Sequence, residues 1–185
     1  MSLEYAVLGF LNYHPLSGYD LKKKFDVSVR HFWPADQSQI YRTMTRLVDL
    51  GWVEMEVVEQ SDRPDRMVYH ITDAGRAHLL EWLAGEVINA PKRTATLVQV
   101  FFAAQLSDAE VLELFEAGAA RLRAQLAQYA EIPAQLQSLN ETVQSPREQF
   151  FWNLTLESGI RAAQTRLAWR EEVIQRIRNG EVPAR

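Results

Sequence analysis

The sequence contains no cysteine. That excludes a disulfide framework, thiolate metal sites and thiol catalysis, and it fits a reducing cytoplasm. Histidine is sparse. His14, His31, His70 and His78 show no His-x-x-x-His or similar ligand spacing. There is no GxSxG, no phosphate-binding glycine loop and no GxGxxG. Catalysis, a metal and a cofactor are therefore not expected. No apolar run approaches the roughly 18 residues that a spanning helix needs. Residues 1–14 lack a basic start and a cleavable small-residue site, so no signal peptide is expected. The expectation is a cytoplasmic protein with no membrane partner.

Positive charge is also in short supply. The net charge is -4. Residues 1–90 carry 9 Lys and Arg against 13 Asp and Glu, and residues 91–185 carry 11 of each. Bulk charge thus opposes a nucleic-acid partner, and such a reading must rest on where the charges sit.

What is present is the balance of a globular chain: 47% hydrophobic and 24% charged over 185 residues. Leu3, Ala6, Val7, Phe10 and Leu11 stand at helical spacing, and His14-Pro15 ends that helix. Ser17 caps a second helix, with Asp20 in its first turn, running through Leu21 to about Phe25. Asp36 and Gln39 form a capping box for a third helix, which carries Ile40, Met44, Leu47 and Val48 and stops at Gly51. The period then changes. Val53, Met55 and Val57 alternate with Glu54 and Glu56, and Met67, Tyr69 and Ile71 alternate with Val68 and His70. The turn-rich segment 61–65 between them predicts a hairpin. Thr72 caps a helix bearing Ala77, Leu80, Trp82 and Leu83, continuing towards residue 88.

Beyond Pro91 the pattern is helical. Thr94–Gln105 holds Leu97, Val98 and Phe101. Ser107 and Glu110 form a capping box for a helix to about Ala130. Pro133 predicts a break, with a shorter helix after it. Ser145-Pro146-Arg147-Glu148 starts a final helix that Asn179-Gly180 stops. Such a helix is about 50 Å long, which predicts packing on a second copy.

Three helices followed by a hairpin are the order of a winged helix-turn-helix, whose third helix enters the major groove. At 100° per residue, Ile40 and Met44 put Ser38, Tyr41, Arg42 and Thr45 on the opposite, outward face. Arg pairs bidentately with guanine, and hydroxyls reach phosphates or bases. Arg63 and Arg66 flank the wing tip, where they can neutralise phosphate, and Lys22, Lys23 and Lys24 add a basic run. Asp62 and Asp65 oppose that role of the wing. Tyr19 reads as a packing residue. Phe101, Phe102, Phe150, Phe151, Trp152 and Trp169 read as core or dimer interface, with an aromatic effector pocket among them as the sharper alternative.

Several co-linear stretches in residues 3–85 carry a resemblance: Leu8-Gly9-Phe10-Leu11, Pro15 to Leu21, Phe32-Trp33-Pro34, Gln39-Ile40-Tyr41-Arg42, Leu50-Gly51-Trp52-Val53 and Tyr69 to Arg76. As a set they resemble the PadR family of transcriptional regulators. The helical remainder resembles the C-terminal region of its longer, virulence-activator-like members. The resemblance implies a mainly α protein with a winged helix-turn-helix at 1–88 and a helical dimerisation domain, with an effector role open to it, at 91–185. It implies a homodimeric repressor on a palindromic operator of double-stranded DNA, often released by a small molecule. It also implies DNA contacts from Tyr41, its neighbours on the third helix and the wing. The residues alone leave a second class open: a helical ligand-binding or interaction protein whose winged domain does not bind DNA specifically.

Overall fold

The computed structural model describes residues 2–30, 32–59, 65–86, 94–138 and 145–183. The chain divides into two compact units: residues 1–88 with 135–146, and residues 89–134 with 147–185.

The first unit runs α1 (Ser2–Tyr13), β1 (Leu16–Ser17), α2 (Gly18–Ser28), α3 (Gln37–Asp49), β2 (Val53–Val58), β3 (Arg66–Ile71) and α4 (Asp73–Ala84). The helices start and stop where the caps dictate. Ser17 accepts from the Asp20 amide at 3.2 Å. The Gln39 amide donates to Asp36 Oδ1 at 2.7 Å, and the Asp36 amide donates to Gln39 Oε1 at 2.9 Å. Gly51 then takes a φ of 70°. This left-handed turn lets the Gly51 amide donate to the Val48 carbonyl and the Trp52 amide to the Leu47 carbonyl, satisfying the end of α3.

The sheet is antiparallel, in the order β1-β3-β2. The hairpin of β2 and β3 is as expected from the alternation. The third strand is not: Leu16 and Ser17 pair with Tyr69 and Val68, and two residues are too few to show a period. Val7, Leu8, Leu11, Leu21, Phe25, Ile40, Met44, Leu47 and Val53 form the buried centre of one core. The expected stripe of α4 is corrected. The helix ends at Ala84, and Leu80 and Leu83 are exposed while Leu79 is buried. Apolar residues lie on more than one side of this helix, so periodicity could not choose between them. The stack of Trp82 on Tyr5 (4.6 Å, 6°) sets the face turned to α1.

The second unit contains α5 (Ala95–Phe101), a 3-10 turn (Ala103–Gln105), α6 (Asp108–Ser138) and α7 (Pro146–Arg178). The Ser107 amide donates to Glu110 Oε2 at 2.7 Å, the expected capping box. One correction follows. Pro133 lies inside α6 and does not break it. A proline in a helix interior costs about 3 kcal/mol. On the turn before it, Tyr129 and Ile132 join the apolar cluster of Leu122, Leu156 and Ile160, and their burial offsets that cost. α7 lies antiparallel to α6 within the chain, through that cluster and a further one of Phe115, Ala119 and Ile174. Of the two readings of the aromatic residues, core or dimer interface, the first does not hold within the chain: Phe101 is 80% exposed, and Phe102, Phe150, Phe151 and Trp169 are also exposed. Trp152 is half-buried.

Candidate nucleic-acid interface

Ile40, Met44 and Leu47 are fully buried at i, i+4 and i+7. That fixes the rotation of α3 and turns Ser38, Tyr41, Arg42 and Thr45 outward together. Arg42 Nε donates to the Ser38 carbonyl at 3.2 Å, which leaves its terminal nitrogens as the outward donors. Thr45 Oγ1 donates to the Tyr41 carbonyl at 3.2 Å. One turn beyond Arg42, Arg46 is tied to Glu4 at 2.9 Å.

Tyr41 is 37% exposed. Its ring lies over the first residue of α2: a Cβ on Gly18 would stand 2.7 Å from Tyr41 Cζ. Only glycine lets the two helices bring this ring so close. No periodicity signals that requirement, although the Gly-Tyr-Asp stretch contains it.

The basic run on α2 does not act as one surface. Successive helical residues point 100° apart. Lys22 is ion-paired with Asp26, Lys23 is exposed, and Lys24 is half-buried. Burial holds the Lys24 amine below its usual range, and the nearby Asp20 carboxylate opposes that shift. Tyr19 was expected to pack but is 69% exposed. The buried stripe of α2 is Gly18, Leu21 and Phe25, and that spacing turns residue 19 to solvent.

Arg66, at the start of β3, is ion-paired with Asp20 at the start of α2. Ser17 Oγ also donates to Asp20, at 2.6 Å. Burial pushes the Asp20 carboxyl up, but the hydrogen bonds from Ser17 and Arg66, with the charge of Arg66, outweigh it and hold the carboxyl below its usual range. The pair ties the loop end of β3 to the start of α2. Arg63 lies outside the described residues. Along the hairpin, Met55, Val57 and Met67 share an exposed apolar face that continues from buried Val53, Tyr69 and Ile71. Glu54 and Glu56 lie on the other face, where His70 Nε2 meets Glu56 Oε2 at 2.9 Å.

A capped third helix with an outward polar face, followed by a two-stranded wing, defines a winged helix-turn-helix of the kind found in transcriptional regulators. Comparisons with known proteins agree. The transcriptional regulator PadR-like family matches residues 7–81, and the virulence activator alpha C-term family matches residues 92–178. A probable transcriptional regulator of Mycobacterium tuberculosis is 31% identical over 190 residues, covering 96% of this chain and 98% of the relative. The negative transcriptional regulator PadR of Bacillus subtilis is 27% identical over 176 residues, covering 95% and 97%. Its crystal structure in complex with operator DNA matches with a TM-score of 0.82, covering 96% of this chain and 99% of that one. The same protein has been solved with p-coumaric acid, matching with a TM-score of 0.73 at 26% identity over 95% of this chain and 94% of that one. The virulence activator AphA of Vibrio cholerae matches with a TM-score of 0.74 at 26% identity, covering 97% and 99%. The chain belongs to the PadR-like family of transcriptional regulators.

Among the described residues no helix is long and apolar enough to cross a membrane.

Proposed function

We propose that the chain is a cytoplasmic, non-enzymatic repressor that binds a palindromic operator as a homodimer. The observation that carries this reading is the outward face of α3, where Ser38, Tyr41, Arg42 and Thr45 stand clear of the core. Arg42 reads guanine through its terminal nitrogens, and Ser38, Tyr41 and Thr45 reach phosphates or base edges. Lys23 and Arg63 add phosphate contacts, while Lys22, Lys24 and Arg66 contribute their remaining donors. The Bacillus subtilis relative is named a negative regulator and has been solved on operator DNA, which supports the same role here. Residues 1–88 read DNA. Residues 91–185 join two copies, and exposed Phe101, Phe102, Phe150 and Phe151 supply apolar contact area. The p-coumaric acid complex of the relative supports a small aromatic effector.

Fluorescence anisotropy against the DNA upstream of the chain's own gene tests the reading. The expected result is salt-sensitive binding to a palindrome with half-sites about one helical turn apart. Binding no tighter than to random DNA at low salt would sink it, and would favour a ligand-binding or interaction protein with a non-reading wing.

A further inference from the structure

The α6–α7 pair treats its arginines in two ways. Arg123 meets Glu171 at 2.5 Å, Arg178 meets Glu116 at 2.6 Å, Arg161 meets Glu157 at 2.5 Å and Arg176 meets Glu181 at 3.0 Å. Arg121, Arg166 and Arg170 are different. Among the described residues no carboxylate lies within ion-pair distance of any of them.

The three are brought together by register. Arg166 and Arg170 are one turn apart on α7 and share a face. Gly118 and Arg121 are three residues apart on α6 and also share a face. The Arg170 guanidinium rests on Gly118: a Cβ there would stand 2.2 Å from an Arg170 Nη and 2.5 Å from its Cζ. That contact sets the α7 pair against the turn of α6 that carries Arg121. The guanidinium is also fixed from the side, 5.7 Å from the Phe115 ring centre and 5.9 Å from that of Trp169. Burial, and then the positive charges of Arg121 and Arg166, hold the Arg170 guanidinium below its usual range.

We infer that Arg121, Arg166 and Arg170 form a binding site for a small oxyanion, a carboxylate or a phosphate. Three guanidinium groups without a counter-charge repel one another, and an anion among them turns that repulsion into attraction. Planar guanidinium forks match carboxylate and phosphate oxygens bidentately. A group already held by an aromatic ring and a glycine loses little freedom on binding. Arg123, Arg161, Arg176 and Arg178 are already matched by glutamates, whereas an anion at this cluster displaces no ion pair. The cluster and the DNA-reading face belong to different units of the chain, so either can fail without the other.

Calorimetric titration of the full chain in low-chloride buffer tests it, with inorganic phosphate, benzoate and the uncharged analogue benzamide as probes. Saturable binding of phosphate or benzoate is expected at millimolar concentration or below, with none for benzamide. The preferred anion identifies the source chemistry. Arg170→Gln and Arg121→Gln should each weaken binding about tenfold or more, while Arg123→Gln, which breaks a paired arginine, leaves it unchanged. Arg121 is exposed, so its variant keeps the test valid if Arg170→Gln fails to fold. Absence of saturable binding, equal binding by all variants, or benzamide binding as well as benzoate overturns the inference. So does light scattering in which the Gln variants dissociate a dimer that binds no anion, because the cluster then belongs to subunit contact.

Discussion

The two units handle their unsatisfied groups in opposite ways. In the first, large apolar side chains from α1, α2, α3 and the sheet meet in one core, and Asp20 and Glu4 are each matched by an arginine. In the second, α6 and α7 share two smaller clusters, while Phe101, Phe102, Phe150 and Phe151 stay outside and the clustered Arg121, Arg166 and Arg170 lack a carboxylate among the described residues. A unit that completes itself can present a rigid reading face. A unit that leaves apolar and cationic groups open is built to be completed by something else.

Stability measurements test that contrast most strongly. Phe25 is fully buried, so Phe25→Ala should cost about 3–5 kcal/mol in denaturant unfolding. Phe150→Ala, on an exposed ring, should cost within about 0.5 kcal/mol for the monomer but shift the dimer to higher concentration in light scattering. Equal losses for the two in dilute solution would erase the distinction between the units.

Within the first unit, two glycines differ in how closely they are packed. A Cβ on Gly75 would stand 2.2 Å from the Trp52 carbonyl oxygen, a backbone atom that cannot swing away. Gly75→Ala should therefore cost about 1–3 kcal/mol. Nothing lies within 4 Å of a Cβ on Gly9 in α1, and Gly9→Ala should stabilise by about 0.5–1 kcal/mol. Thermal unfolding of the pair checks both signs, and a destabilised Gly9→Ala would show that α1 packs more tightly than its geometry.

Local chemistry made much of the first unit legible in advance. The Asp36–Gln39 box, the stop at Gly51 and the alternation of β2 each depend on neighbours in sequence, and each is found. The buried spacing of Ile40, Met44 and Leu47 sufficed to orient α3. What was not legible depends on partners distant in sequence. The pairing of Leu16 with Tyr69, the seat of Tyr41 on Gly18 and the hold of Asp20 on Arg66 join residues far apart in the chain. The lysine run reads as one basic patch in sequence, but adjacent residues diverge on a helix, and Lys23 alone of the three is exposed. Pro133 misled because local cost was weighed without tertiary burial. Aromatic content in the second unit suggested a core or a dimer interface, and composition does not carry the difference between apolar area closed within one chain and apolar area left open for another.

The face of α3 is one place where the first unit stays open. Arg42 has outward donors that no described carboxylate takes, so Arg42→Ala should leave folding within about 0.5 kcal/mol and weaken operator binding by about 1–3 kcal/mol. Anisotropy with specific and random DNA reads the difference. An equal loss on both would reduce Arg42 to a phosphate contact.

The smallest effect concerns the pair that ties the wing to α2. Asp20 is held below the usual carboxylate range by Ser17 and Arg66. A depressed pKa in the folded chain means the charged form is favoured by folding. Its stabilisation is fully present above the ordinary carboxylate value and is lost as pH falls through the depressed one. Asp20→Asn should therefore be less stable than the parent at neutral pH, and the gap should close in acid. Both partners remain partly exposed, so solvent screening keeps the effect small. Unfolding midpoints of parent and variant across the acid range provide the measurement. A gap independent of pH would mean that Asp20 acts by shape as a helix-start residue, and that the tie between α2 and the wing is not ionic.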